Sequence, residues 1–142
     1  LAMYRPGPPA ATGDDPRDDD VVEEVAEYLD AAARRGRRAG VGRIWVDPGI
    51  GAASTRRALE LVANLDRFAR SAAVVVGVSR TRFVGRLHAG SDGLNGESAV
   101  TDPDDRLEGS LAMATWSAHL GADMVRAHDV RATVHAVRVV QP

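Results

Sequence analysis

Two apolar patterns alternate along this chain, and their alternation restricts the fold more than any other feature. Short β-rich runs stand at 43–46, 73–78 and 124–128, and segments with apolar residues at helical spacing lie between and around them. Strands that alternate with helices predict parallel βαβ units, because two parallel neighbours need a crossover connection. The sequence therefore predicts an α/β fold with three parallel strands.

Four amphipathic helices are predicted around these runs, because apolar residues recur three, four and seven positions apart. The first carries acidic residues at its start and arginines at its end, the arrangement that the helix dipole favours. Asp129 is placed to cap the fourth. The helices are expected from Val21 to about Gly40, from about Thr55, from about Asp105 to Leu120, and after Asp129.

Two segments rich in glycine, proline and acidic residues are predicted to be loops. They are residues 1–18, which contain four prolines, and residues 86–104, which contain three glycines and one proline. Proline and glycine interrupt helices and strands, so neither segment is expected to hold regular structure.

Composition excludes several classes of function. The chain contains no cysteine and no lysine, which excludes disulfides, thiolate zinc sites, cysteine nucleophiles and lysine Schiff bases within it. Its 20 acidic residues outnumber its 18 basic ones, which argues against nucleic acid as a partner. The apolar runs are too short to cross a bilayer, and the first residues do not resemble a secretory signal. We therefore expect a cytoplasmic protein without membrane contact.

Polar residues follow each predicted strand, namely Asp47, the pair Ser79 and Arg80, and the pair Arg126 and His128. Parallel α/β folds place their sites at this edge, so we expect these side chains to converge. Two residues that are two positions apart on a strand point to the same face, so Arg126 and His128 would form a cationic pair suited to a phosphate or diphosphate. Asp47 can accept two parallel N–H bonds, as an aminopyrimidine offers.

Plainer roles for these residues remain open. Asp47 can instead cap the turn before the next helix, and Arg126 with His128 can pair with an acid of a neighbouring loop. The other three histidines are scattered and are predicted to lie at the surface, so we expect no metal ligands in this chain. These are His88, His119 and His135.

Four sequence blocks, in order over nearly the whole chain, resemble those of dihydropteroate synthases. They are AMYRPGPP at 2–9, VDPGIG at 46–51, VGVSRTRFVG at 76–85 and EGSLAMATWSAHLGADMVRAHDV at 108–130. A DPG triplet alone would be a weak signal, whereas four blocks in order are specific. The resemblance implies a TIM-type (β/α)8 barrel, with residues 1–142 forming a partial domain that lacks the first half and contributes about strands six to eight with flanking helices.

The family joins 6-hydroxymethyl-7,8-dihydropterin diphosphate to p-aminobenzoate and releases diphosphate, in folate biosynthesis. By matching motif, the resemblance implies that Asp47 binds the pterin and that Ser79 and Arg80 bind p-aminobenzoate. It implies that Arg126 and His128 are the catalytic cations that hold the leaving diphosphate. It also implies Mg2+, held through an earlier loop of the family, and a homodimer formed through the last two helices.

Several positions depart from the family's pattern. Tyr4 stands where a histidine commonly follows the methionine of the first block, and Ala53 and Ser54 stand where the family has a Gly-Lys type pair. Thr81 stands where the family usually has a lysine that reaches the pterin, and Ala52 stands where it has a phenylalanine near the p-aminobenzoate. Loss of one charge-assisted hydrogen bond removes about 1.5 to 3 kcal/mol of binding. Besides an active synthase, the sequence leaves open a weakly active or non-catalytic paralogue that binds a pterin, an anion or a partner protein. It also leaves open the pterin-binding domain of a corrinoid methyltransferase, and a βα scaffold without a ligand.

Overall fold

Four short strands form one parallel sheet in the computed structural model, which describes residues 1–5, 20–94, 96 and 98–141. Each strand pairs with the next one along the chain, and every pair is parallel. This confirms the predicted parallel α/β fold. The strands are β1 (Ala2–Met3), β2 (Trp45–Asp47), β3 (Ala73–Val76) and β4 (Met124–Val125).

Six α-helices flank these strands in the described part of the chain. The helices predicted from Val21, over 105–120 and after Asp129 are confirmed, and the one predicted from Thr55 is present but interrupted at Asn64. None of the described helices is long and apolar enough to cross a membrane. The helices are α1 (Val21–Arg38), α2 (Thr55–Ala63), α3 (Leu65–Ala69), α4 (Arg82–Ser91), α5 (Leu107–His119) and α6 (Val130–Val140).

The prediction of a loop over 86–104 is wrong in its first part, because α4 continues to Ser91. Phe83 and Val84 of this helix are buried, and their packing stabilises the helix despite its glycines. Gly85 leaves space that another side chain uses, since a Cβ atom there would lie 2.5 Å from Nε of Arg106. Tertiary packing therefore overrides the weak helical preference of this segment.

The prediction of a loop over 1–18 is wrong at residues 2 and 3, which form β1. Within this range, 6–18 lies outside the described residues. A second correction concerns the strand predicted over 124–128, which ends at Val125. The N–H of Arg126 still donates to the carbonyl of Val76 at 2.9 Å, but His128 lies beyond the sheet hydrogen bonds.

The two faces of the sheet have different roles. Val46 is paired with Val74, and these residues together with Val76 face the helices and are fully buried. Because successive residues of a strand point to opposite faces, Asp47 and Arg126 belong to the other face. The core therefore lies between the sheet and the helices. Its other members include Val25, Leu29, Leu61, Leu65 and Phe68.

The turn after β2 depends on Gly49. Its φ of +76° is left-handed, and a Cβ atom there would lie 2.3 Å from the carbonyl oxygen of Tyr4. The N–H of Tyr4 also donates to the carbonyl of Asp47 at 2.9 Å, so the chain after β1 runs closely beside this turn. Gly49 thus permits a close backbone approach directly beside Asp47.

We predict that Gly49→Ala destabilises the protein more than Gly40→Ala does. Both residues are left-handed, with φ of +76° and +81°, so both substitutions should cost roughly 1–2 kcal/mol in backbone strain. Only Gly49→Ala also meets the carbonyl of Tyr4, which should add about 1–3 kcal/mol, whereas a Cβ atom at Gly40 meets nothing within 4 Å. Urea unfolding of the two variants measures the difference, and equal losses would contradict this account of the turn.

Candidate functional site

Asp47 and Arg126 form an ion pair at the carboxyl edge of the sheet. Oδ2 of Asp47 accepts from Nη2 of Arg126 at 2.7 Å, and Oδ1 accepts from the N–H of Gly49 at 2.8 Å. The Asp47 side chain is 2% exposed and that of Arg126 is 55% exposed. Asp47 therefore holds the turn with one oxygen and a cation with the other, so the turn-capping role that the sequence left open is also observed.

Arg126 reaches Asp47 by passing over Gly77. A Cβ atom built on Gly77 would lie 2.6 Å from Nη2 and 3.2 Å from Cζ of Arg126. Any side chain at this position would displace the guanidinium group. Sequence reasoning did not identify Gly77 as a site residue, although a glycine directly after a buried strand is a signal for close approach of another group.

Ser79 and His128 form a second contact at this edge. Oγ of Ser79 accepts from the backbone N–H of His128 at 3.2 Å and lies 3.1 Å from Nδ1 of its ring. A hydroxyl has one hydrogen and two lone pairs, so Oγ can pair with Nδ1 in either tautomer of the ring while it accepts the backbone N–H. Nε2 has no partner among the described residues, so it is available to a ligand.

Arg80 is held away from these groups by two acids. Its Nε and Nη2 donate to the two carboxylate oxygens of Asp129 at 3.1 and 3.0 Å, and Nη1 donates to Asp104 at 2.5 Å. These hydrogen bonds hold the pKa of Asp129 below its ordinary value and raise the pKa of Arg80. Asp129 makes no side-chain cap for α6, so the capping prediction is wrong; its carboxylate pairs with a guanidinium instead.

Two neighbouring clefts meet at Gly77 and Arg126. The first has a volume of about 350 Å³, and the second has a volume of about 260 Å³. Neither Arg80 nor Thr81 lines them, and the hydroxyl of Thr81 donates instead to the carbonyl of Val78 at 3.0 Å. The first is lined by Met3, Tyr4, Arg5, Asp47, Gly49, Gly51, Ala52, Gly77 and Arg126, and the second by Gly77, Ser79, Arg126, Ala127 and His128.

Tyr4, which stands where the family commonly has a histidine, forms a wall of the first cleft. Its hydroxyl donates to Oε1 of Glu24 at 2.5 Å, and Oε2 of Glu24 accepts from Arg57 at 3.3 Å. Burial, followed by the bond to Glu24, raises the pKa of Tyr4 above its ordinary value. The hydroxyl therefore stays protonated at neutral pH and fixes the ring to α1.

Magnesium prefers oxygen ligands, and carboxylates above all. Within the ranges that the structure describes, no three histidine, aspartate or glutamate side chains are grouped so as to hold a metal ion. The ionisable groups at the second cleft are Arg126 and His128, which are cationic or neutral rather than anionic. These residues do not fit a magnesium ion by themselves, and the chemistry that they provide is electrostatic.

The fold and the site together define a parallel α/β domain with a ligand-sized cleft at the carboxyl ends of its strands. The chain belongs to the pterin binding enzyme family, whose model matches residues 1–128. It is 40% identical to the dihydropteroate synthase of Mycobacterium leprae, over 85% of this chain and 42% of that protein. The resemblance to dihydropteroate synthases is therefore confirmed.

Solved structures agree with this assignment. The chain matches dihydropteroate synthase from Xanthomonas albilineans in complex with 7,8-dihydropteroate, with a TM-score of 0.78 and 34% identity over 98% of this chain and 49% of that one. It matches the enzyme from Thermus thermophilus in complex with 6HMPPP with a TM-score of 0.77 and 35% identity, over 98% of this chain and 50% of that one. The chain spans less than half the length of the curated relatives, between 42% and 47%.

We predict that Gly77→Ala breaks the ion pair between Asp47 and Arg126. The added methyl group occupies the path of the guanidinium, which leaves a buried carboxylate without its cation. Loss of about 1–3 kcal/mol is expected, below the value for a fully buried pair because Arg126 is half exposed.

The matched control for this prediction is Gly90→Ala in α4, where a Cβ atom meets nothing within 4 Å. Urea unfolding of the two variants gives the comparison. If Gly77→Ala is as stable as Gly90→Ala, Gly77 is not needed for the passage of the guanidinium.

Proposed function

We propose that this protein is a dihydropteroate synthase, which condenses 6-hydroxymethyl-7,8-dihydropterin diphosphate with p-aminobenzoate and releases diphosphate. The observation that carries the proposal is the meeting of the two clefts at Arg126. One cleft contains a buried carboxylate and the other contains an imidazole and the same guanidinium. A substrate with an amine-bearing ring at one end and a diphosphate at the other matches this distribution of charge.

The first cleft suits the pterin ring. Each oxygen of the Asp47 carboxylate has two lone pairs, so Asp47 can accept N–H bonds from an aminopyrimidine while it keeps Gly49 and Arg126. The volume of about 350 Å³ lies at the lower end of the range for small-molecule sites, as a single bicyclic ring requires.

The second cleft suits the diphosphate. Arg126 uses only Nη2 for Asp47 in the described part of the chain, so its other N–H groups can bind phosphate oxygens. The imidazole of His128 provides Nε2 as a further polar group at this cleft. Both groups are fixed before the substrate binds, and preorganised donors of this kind stabilise charge that develops in a transition state.

In the reaction, the amine nitrogen of p-aminobenzoate attacks the methylene carbon of the pterin substrate. The N–C bond forms as the C–O bond to the diphosphate breaks, and the bonding electrons leave with the diphosphate. The amine releases one proton to solvent. Because negative charge grows on the departing diphosphate, Arg126 and His128 bind the transition state more tightly than the ground state, which lowers the barrier.

Ser79 and Arg80 are proposed to bind p-aminobenzoate, as the resemblance implies. The guanidinium of Arg80 already donates two hydrogen bonds to the Asp129 carboxylate. An arylcarboxylate would bind a guanidinium in the same bidentate geometry. The Asp104 side chain on its remaining donor is 85% exposed, so a substrate carboxylate can replace it.

Three further features of the proposal come from the family. The chain is proposed to be the C-terminal portion of a (β/α)8 barrel, which the unbroken chain order of its parallel strands supports. Mg2+ is proposed to bind the diphosphate through residues outside this part of the family's fold. A homodimer is proposed through α5 and α6, and Trp116, which is 53% exposed on α5, supports such a surface.

The direct test is an assay of the full-length protein with the pterin diphosphate, labelled p-aminobenzoate and magnesium. We expect dihydropteroate and one diphosphate per turnover. No product at high enzyme concentration, together with retained binding of the pterin, would replace the proposal with the alternative of a non-catalytic paralogue.

We predict that Arg126→Ala weakens the binding of inorganic diphosphate by tenfold to about a hundredfold, because a charge-assisted hydrogen bond is lost. Arg138→Ala, which removes an exposed arginine from the end of α6, is the control for net charge. Isothermal calorimetry compares both variants with the unmodified protein. Equal affinities of the two variants would remove Arg126 from the diphosphate site.

We predict that Thr81→Lys raises the affinity for the pterin substrate or the turnover number. The hydroxyl of Thr81 donates to the carbonyl of Val78 and lines neither cleft, so the substitution removes no group that lines a cleft. A lysine at the start of α4 adds one charge-assisted donor, worth about tenfold or more. Steady-state kinetics measure the turnover number and the KM for the pterin substrate. Arg82→Lys is the control, because it places a lysine at the next position without adding a charge. Unchanged kinetics would show that position 81 does not limit the activity.

A further inference from the structure

Arg80 has an unusual backbone conformation. Its φ of +58° makes it the one residue other than glycine in the left-handed region among the described residues. A side chain with a Cβ atom disfavours this region, so other groups must hold the backbone there. Arg80 lies between Ser79, which contacts His128, and the start of α4.

Both backbone polar groups of Arg80 are held from the start of α5. The N–H of Arg80 donates to Oγ of Ser110 at 2.9 Å, and the carbonyl of Arg80 accepts from Nη1 of Arg106 at 2.8 Å. Oγ of Ser110 donates in turn to the carbonyl of Arg106 at 2.5 Å. These three hydrogen bonds form a clamp, made of Arg106 and Ser110, around the peptide groups of Arg80.

Arg106 is a buried cation that acts on backbone groups. It is 7% exposed, and in the described ranges its guanidinium donates to the carbonyl oxygens of Thr101 and Arg80. Nε donates to the carbonyl of Thr101 at 3.0 Å, and Nη2 donates to the same oxygen. Gly85 makes room for it, because a Cβ atom there would lie 2.8 Å from Cζ. A buried charge is costly, so its location beside Arg80 indicates a positioning role.

We infer that Arg106 and Ser110 are positioning residues that impose the left-handed conformation of Arg80 and so aim the Arg80 guanidinium at its carboxylate partners. This inference rests on the proposed function insofar as Arg80 takes the arylcarboxylate substrate. Arg106 touches neither cleft, so it acts only through the turn.

The test compares Arg106→Lys and Ser110→Ala with Arg86→Lys, an exposed arginine of α4, in the full-length protein. Lysine keeps the charge of Arg106 but cannot span the carbonyls of Arg80 and Thr101 with a planar fork. We expect the KM for p-aminobenzoate to rise about tenfold in Arg106→Lys, while the KM for the pterin diphosphate changes less than about twofold. A purely structural role would move both constants together, and that result, or no change in either, would overturn the inference.

A second readout does not require activity. Residues with positive φ show a strong NOE between their own amide and α hydrogens, and we expect Arg80 to show it in the unmodified protein and in Arg86→Lys but not in Ser110→Ala. Persistence of this NOE in Ser110→Ala overturns the clamp. If the unmodified protein forms no dihydropteroate, the proposed function fails while the NOE still decides the inference. If Arg106→Lys does not fold, Ser110→Ala supplies both readouts, because it removes only one hydroxyl group.

Discussion

The ion pair between Asp47 and Arg126 is the interaction on which the candidate site depends. It joins the end of β2 to the chain after β4 across β3, and its 2.7 Å contact fixes a buried carboxylate. Removing a carboxylate from water is expensive unless a cation and hydrogen bonds compensate it, and Asp47 has both. Because Arg126 is half exposed, the same guanidinium remains available to a ligand. The pair therefore stabilises the edge of the sheet and at the same time sets the charge of two clefts.

The other groups of the site are arranged around this pair in two layers. Ser79 and His128 contact each other beside Arg126, and the Arg80 guanidinium is held by acids on the far side. Behind them, Arg106 and Ser110 hold the backbone of the turn. A buried arginine that donates to backbone carbonyls and an aspartate that accepts a backbone N–H serve the same purpose. Each fixes the direction of a side chain without a ligand, so the polar groups of the site are preorganised.

Much of the fold could be predicted from the sequence, because the spacing of apolar residues indicates which face of a helix or strand is buried. The apolar face of the second predicted helix, from Ala58 to Phe68, is buried in the structure. Convergence of strand-end polar residues also followed from the parallel topology for Asp47 and Arg126. Helix α4 was not predicted, since the burial of Phe83 and the packing of Arg106 against Gly85 are tertiary contacts that local sequence does not report. Gly77 was missed for the same reason, because its importance lies in the Arg126 side chain, which crosses it from the chain after β4.

The measurement that tests the central claim most directly is a double-mutant cycle of Asp47→Asn and Arg126→Gln, with the free energy of unfolding as the readout. Asp47→Asn keeps the size of its side chain and removes its charge, and Arg126→Gln shortens the side chain and removes its charge. The cycle subtracts the effect of each single substitution and so isolates the coupling between the two groups. The structure predicts a coupling free energy of about 1–3 kcal/mol, since one partner is buried and the other is half exposed. A coupling near zero would show that the two charges do not depend on each other, and would contradict the account of the site.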